Sequence, residues 1–323
     1  MAPAASPPLS PHWSQSPPDL GKPGVIPLRP LGVTEILDGS ISTMRRHLRP
    51  TLGVSAIVVT VSRLLILAAT YPLLDDLNRA VQFDENTPTS VYYDFLGKGL
   101  AVAGLTLLIT LLAQVFLSGF LTVVIGKAVL GQPVGFGEVW GRVRPRLPAL
   151  LGLTLVYPAI AVGVGAVLFV LLLIAPPLAI LLLLAAIPFA VWLYILFSLA
   201  TPALMLENAS VGRAFGRSRQ LVRGKWWRIF GVTLLAGIIT AIMAAIITVP
   251  FTFFGGGFGR LTSTTPVAPT ATYLVLTTIG GIIAGTLTAP FAAGVLVLLY
   301  TDQRMRREGM DIELARAAGQ APA

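Results

Sequence analysis

From Leu147 to Leu206 the chain carries no charged side chain, and its only interruption is Ala175-Pro176-Pro177. A water-soluble fold places charged or strongly polar residues every few positions on its outer face, so this pattern excludes a soluble core. A bilayer-crossing helix needs about 20 apolar residues. The stretch therefore predicts two spans folded back on each other through a tight Pro-Pro turn. The same pattern elsewhere predicts six spans in all, over residues 52–74, 100–124, 147–174, 178–206, 229–254 and 273–300.

The polar segments between them follow a plan used three times. A basic stretch with apolar residues at helical spacing is followed by a glycine and a small polar residue that open a span. The stripes are Leu37, Ile41, Met44 and Leu48; Phe136, Val139, Trp140 and Val143; and Val211, Phe215, Val222 and Trp226. The openings read Gly53-Val54-Ser55, Gly152-Leu153-Thr154 and Gly231-Val232-Thr233. Such stretches are expected to lie flat at a membrane surface, apolar side down and guanidinium groups toward lipid phosphates. The expected fold is an all-α membrane protein of six transmembrane helices, arranged as three hairpins, each preceded by a basic amphipathic interfacial helix. The hairpins are expected to be related by an axis along the membrane normal.

Charge placement orients the bundle. Of 23 Lys and Arg residues, 19 fall in the N-terminal segment, the connections at 125–146 and 207–228, and the C-terminal tail. Basic residues near span ends stay cytoplasmic, so both termini are expected there, in the plasma membrane. The 75–98 connection, with Asp75, Asp76, Asp84, Glu85 and Asp94, is expected outside. Residues 1–28 are rich in Pro and Ser and read as a disordered cytoplasmic tail, uncleaved, before a membrane domain at 29–314 and a disordered C-terminal tail at 315–323.

Composition removes several chemistries. Hydrophobic residues make up 55% of the 323 and charged residues 11%, as in polytopic membrane proteins. Without cysteine there are no disulfides and no thiolate sites, and the two histidines, His12 and His47, cannot build a His-based metal cluster. No catalytic residue, metal or cofactor is expected. Gly255-Gly256-Gly257 lacks the Lys of a phosphate-binding loop. The net charge of +9 is not assigned to nucleic acid, because Trp226 and Trp227 read better as interfacial anchors than as a stacking platform. Asn208-Ala209-Ser210 has the glycosylation pattern but falls on the side assigned to the cytoplasm.

Within the spans, Gly281, Gly285, Ala289 and Ala293 form a small-residue stripe for helix packing, as do Ala159 and Gly163. Pro158, Pro188 and Pro290 are expected to kink their helices. Arg63 lies 11 residues from each end of its predicted span, about 16 Å deep at the helical rise. An Arg there costs about 2.5–3.5 kcal/mol. It is expected to face the bundle interior beside Gln114, with Tyr157 as a second partner, and it reads either as a functional charge or as one brought nearer an interface by a longer span.

Four segments carry a resemblance: RPLGVTEILDG at 29–39, the GxPVxFxExWxRVRPRL run at 131–147, LVRGKWWRIFG at 221–231 and YTDQRMRREGMD at 300–311. Together they resemble actinobacterial integral membrane proteins with the membrane domain of glycerophosphoryl diester phosphodiesterase. In enzymatic relatives that domain precedes a soluble catalytic domain with a His-Arg-Gly motif. Neither His12 nor His47 is followed by Arg-Gly, so the resemblance implies a stand-alone membrane domain without the hydrolase chemistry.

The expected function is therefore a non-enzymatic multi-pass membrane protein that contacts anionic lipid headgroups or organises a membrane partner. The headgroup contacts would be Arg45, Arg46, Arg49, Arg142, Arg144, Arg146, Arg217, Arg219, Arg223, Lys225, Arg228, Arg304, Arg306 and Arg307, with Trp140, Trp226 and Trp227 as interfacial anchors. Expected partners are anionic membrane lipids, with a membrane-protein partner or a homo-oligomer beside them. The alternative is a small-solute or lipid transporter built around intramembrane Arg63 and Gln114.

Overall fold

A computed structural model describes residues 30–308 except 85, 130, 133, 258, 260–262 and 264–266. The two predicted tails, Glu85 and Arg260 lie outside the described residues. The described residues are helical with connecting turns. Helix α1 (Val33–Arg46) leads through a π-helical turn at Arg49–Gly53 into α2 (Val54–Thr70), a 3₁₀ turn at Tyr71–Leu73 and α3 (Leu74–Ala80). Then follow α4 (Thr89–Val129), α5 (Phe136–Val143), α6 (Leu147–Ile174), α7 (Pro176–Phe197), α8 (Ala200–Leu206), α9 (Val211–Val222), α10 (Trp226–Thr252) and α11 (Ala271–Glu308). Six helical stretches among them are long and apolar enough to cross a membrane. They pair as the three expected hairpins, α2 with α4, α6 with α7 and α10 with α11. The short basic helices α1, α5 and α9 come before each.

The hairpins are not equivalent in packing. Half of the most apolar window of α11 is buried, against none in α6 and at most 17% in the others. The last helix is thus the centre post of the bundle, and the α6–α7 hairpin is its most exposed part. Burial is concentrated at the end where α1, α5 and α9 lie, called here the basic end. Phe120, Leu150, Leu204, Leu221, Ile229 and Leu298 are all fully buried there. At the far end Ile174, Leu173 and Leu172 are largely exposed, as apolar side chains in a hydrocarbon solvent can be.

Close backbone approach at glycine explains how α11 holds its neighbours. A Cβ on Gly294 would stand 2.7 Å from Ser40 Cβ, and one on Gly285 only 2.9 Å from Val59. In a bilayer this intimate contact supplies the association energy that hydrophobic burial supplies in water. Leu31 meets Asp302, Ser40 meets Gly294, Val59 meets Gly285 and Arg63 meets Gly281, so α1 and α2 descend α11 antiparallel. Helix α1 therefore does not lie flat on a surface. Its small face (Gly39, Ser40, Thr43) is turned into the bundle, because those residues let it approach Gly294. Similarly, Val139 and Val143 of α5 and Leu221 and Val222 of α9 bury against the protein rather than lipid.

Other expectations change in detail. The predicted stripe of α11 divides: its glycines pack on α2, whereas Ala289 and Ala293 line a cavity. Ala159 and Gly163 are both exposed, and a Cβ on Gly163 would meet nothing within 4 Å. Helices α6, α7 and α11 remain helical on both sides of Pro158, Pro188 and Pro290, as a bend without a break allows. The fourth span instead breaks at Ser198–Leu199, four residues before Pro202, whose ring nitrogen cannot donate to the Ser198 carbonyl. Buried Ser218 repairs the break by accepting from Leu199 N–H (3.2 Å) and donating to the Leu196 carbonyl (2.8 Å). The predicted outer connection is partly helical, and Lys98 in α4 pairs with Asp94 (2.9 Å) and Asp76 (3.4 Å).

Candidate lipid-headgroup surface

The C-terminal segment expected to rest against a leaflet is instead the last turns of α11, with Tyr300, Asp302, Gln303 and Met305 buried. Asp302 is fully buried and accepts four hydrogen bonds. Leu31 N–H (2.8 Å) and Arg306 Nε (2.8 Å) donate to Oδ1; Arg228 Nη2 (3.0 Å) and Gln303 Nε2 (3.2 Å) donate to Oδ2. The same two arginines also donate to the Leu31 carbonyl, at 2.7 and 2.9 Å. One carboxylate thereby ties the entry to α1, the start of α10 and the end of α11 into a single joint. A buried carboxylate needs that full set of donors to offset its lost hydration.

A second joint forms around Glu207. Arg217 Nε donates to both of its oxygens (2.8 and 3.0 Å), and the Tyr300 hydroxyl donates to Oε1. Arg217 also pairs with Glu308, which Arg304 binds at 3.0 Å. Burial pushes the Glu207 carboxyl up, but the hydrogen bonds from Arg217 and Tyr300 outweigh it and hold the group below its ordinary value. The hydrogen bond to Glu207 raises Arg217 in turn, against desolvation. A third joint pairs Lys127 with Glu138, which Arg142 reaches at 3.6 Å. Arg146 donates to the Ala209 carbonyl (3.1 Å) and to Asn208 Oδ1 (3.2 Å). Asn208 sits at φ 55°, the left-handed turn conformation that Asn tolerates after a helix end.

The predicted headgroup cations therefore divide by role. Arg146, Arg217, Arg228, Arg304 and Arg306 are bound by partners within the protein, and Arg142 makes only a half-exposed surface pair with Glu138. Arg45, Arg46, Arg49, Arg144, Arg219, Arg223, Lys225 and Arg307 are exposed and make no ion pair among the described residues. Sequence reading missed this division because it missed the carboxylates Asp302, Glu207, Glu138 and Glu308 as internal partners. Each carboxylate stands within or beside a basic motif, a cue that an internal partner exists but not to which cation it binds.

Four of the free cations gather around one cavity. A pocket of about 580 Å³ lies between the end of α7, the end of α9 and the start of α10. Its walls include Trp192, Leu196, Phe197, Val222 and Trp226, with Arg219, Arg223 and Gly224 at its polar side. Arg307 approaches Gly224, its Nη2 lying 3.6 Å from where a Cβ would stand, and Lys225 adjoins it in sequence. Gly224 takes φ 78°, a conformation free of strain only for glycine, and this turn brings Arg223 and Trp226 to one site. The Trp226 ring stacks on Phe230 with centroids 5.1 Å apart. Trp140 leans on Phe116 at 5.6 Å, and Trp227 projects outward with 77% of its surface exposed.

The intramembrane pair does not assemble. Arg63 is exposed, its guanidinium lies against Gly281, and it makes no hydrogen bond or ion pair among the described residues. Gln114 lines a different cavity, shared with Tyr157. Arg63 lies against the backbone of α11 at Gly281, where a Cβ would meet only its guanidinium, at 3.3 Å. Arg63 is thus neither turned into the bundle interior nor joined to Gln114 or Tyr157.

Comparison with known proteins adds one finding. A family model described as a domain of unknown function (DUF7847) matches residues 159–303. The match takes in Arg219, Arg223 and Trp226 of the pocket, and it leaves out α1, α2, α4 and α5. No curated protein and no solved structure matches the chain.

Proposed function

We propose that the chain is a non-enzymatic multi-pass protein of the plasma membrane that holds anionic phospholipid at its basic end, with both termini cytoplasmic. The observation that carries this reading is the 580 Å³ pocket, an apolar recess between tryptophans with unpaired Arg219 and Arg223 at its polar side. Acyl carbon fits the walls, and a phosphate oxygen fits the guanidinium forks, which bind such oxygens bidentately. Arg45, Arg46, Arg49, Arg144, Lys225 and Arg307 extend the same charge around the end of the bundle, where each basic residue near an anionic surface contributes about 1 kcal/mol. Four basic-end carboxylates, Glu138, Glu207, Asp302 and Glu308, are occupied by ion pairs, which supports a binding role over acid–base chemistry for them.

The experiment is native mass spectrometry of the full chain released from mixed phosphatidylglycerol and phosphatidylcholine nanodiscs. Retained phosphatidylglycerol is expected in excess. Arg219→Gln with Arg223→Gln is expected to lower that excess by roughly fivefold per charge removed, whereas Arg142→Gln leaves it unchanged. Equal retention of the two lipids, or no effect of the double substitution, defeats the proposal.

A further inference from the structure

A second cavity, of about 290 Å³, opens on the bundle surface between α4, α6, the α7–α8 break and α11, with Gln114 and Tyr194 among its exposed lining residues. Its wall includes Gln114, Thr122, Thr154, Tyr157, Tyr194 and Thr201. None of these six side chains makes a hydrogen bond among the described residues, and none of the lining residues is charged. So many unpartnered hydroxyl and amide groups at one place within membrane-spanning helices are costly unless something polar fills the space. At about 30 Å³ each, the volume admits roughly ten water-sized groups.

Tyr157 and Tyr194, with ring centroids 6.1 Å apart, belong to this cavity and also to an apolar groove of about 460 Å³ between α6 and α7. Ala161 and Gly165 on one helix face Ala186 and Ala190 on the other across that groove. Such pairs usually let two helices close on each other; here they border open space instead. From Tyr157 to Leu168 the groove follows α6 for about 16 Å at the helical rise, the reach of a medium-length alkyl chain. Its polar end is nearer the basic end of the bundle, the orientation of a lipid in the leaflet on that side.

We infer that cavity and groove form one site for an uncharged amphiphile, a hydroxyl- or carbonyl-bearing headgroup on an alkyl tail. An ionised headgroup is disfavoured, because the cavity offers neutral donors and acceptors and no counter-charge. A purely apolar molecule is disfavoured too, because it would leave all six polar groups unsatisfied. The site adjoins the Arg219–Arg223 pocket, sharing Phe197 and Leu193 as walls, but it rests on its own polar lining and not on those arginines.

The test uses 1-monooleoylglycerol bearing a diazirine in its acyl chain, photolysed with the full-length protein in phosphatidylcholine nanodiscs and mapped by peptide mass spectrometry. Label is expected on residues 157–168 and 183–194. Excess unlabelled 1-monooleoylglycerol is expected to displace it, and oleate at the same concentration is not. Gly165→Leu fills the groove, where a Cβ meets nothing within 4 Å and the fold is therefore retained. Gln114→Leu with Thr154→Val removes headgroup partners. Each variant is expected to cut labelling at least fivefold. Equal labelling of the exposed faces of α2 and α10 marks bulk bilayer lipid and overturns the inference. Displacement by oleate overturns the uncharged headgroup, and unchanged labelling in both variants overturns the site.

Discussion

Replacing Asp302 by Asn tests the joint on which the basic end depends. The substitution keeps the volume and exchanges one carboxylate oxygen for an NH₂ group. All four partners of Asp302 are donors: Leu31 N–H, Gln303 Nε2, Arg228 and Arg306. In either rotamer the asparagine can serve only two of them, and its own N–H groups oppose the rest. Breaking a buried ion pair costs about 3–5 kcal/mol. The Arg228 and Arg306 side chains are 28% and 31% exposed, so water recovers part of that loss, and about 2–3 kcal/mol remains. The loss falls on the attachment of Leu31 and α1, because Leu31 is held through both its N–H and its carbonyl. Tryptic cleavage after Arg45 and Arg46 in mild detergent reports that opening, whereas the Arg49–Pro50 bond resists trypsin in every state. Cleavage that tracks opening is expected to accelerate about 30-fold for 2 kcal/mol. An acceleration below about twofold, with unchanged resistance to sodium dodecyl sulfate unfolding, would show that the joint does not hold α1.

Three further outcomes follow from the same packing. Ser218→Ala strips the partner from Leu199 N–H and the Leu196 carbonyl at the break before α8, and detergent unfolding is expected to register about 1–3 kcal/mol; Ser218→Thr retains the hydroxyl and is expected to recover part of it. Gly294→Val forces a Cβ to 2.7 Å from Ser40 and is expected to destabilise by about 1–3 kcal/mol, whereas Gly281→Ala meets only the movable Arg63 head at 3.3 Å and is expected to be mild on the same measurement. Glu207 is held below its ordinary value of 4.5, so its joint contributes fully above that pH and loses its contribution as pH falls through the lowered pKa. Unfolding resistance is expected to drop on acidification below about pH 4.5, and Glu207→Gln is expected to flatten that part of the profile.

The six helices, their pairing and the basic segments before each hairpin were all legible along the chain. They are local properties: an uncharged run such as 147–206 has only one solvent in which it is stable, and a Pro-Pro turn reverses it wherever it occurs. The stripe of α11 was also legible as small residues, but not its division into a packed half at Gly281 and Gly285 and a cavity-lining half at Ala289 and Ala293. Composition identifies small residues without saying what faces them.

The free cations and the cavities were decided by tertiary structure. Leu31 and Asp302 are 271 positions apart, and Glu207 and Tyr300 are 93 apart. No window on the chain shows that Arg228 and Arg306 are neutralised while Arg219 and Arg223 stay free. Arg63 shows the same limit, since its depth could be read but its neighbour could not. Local patterning chose the solvent and the elements because each residue meets lipid or water on its own account. Charge pairing and cavity shape depend on residues from several helices at once, so they exist only after the bundle has closed.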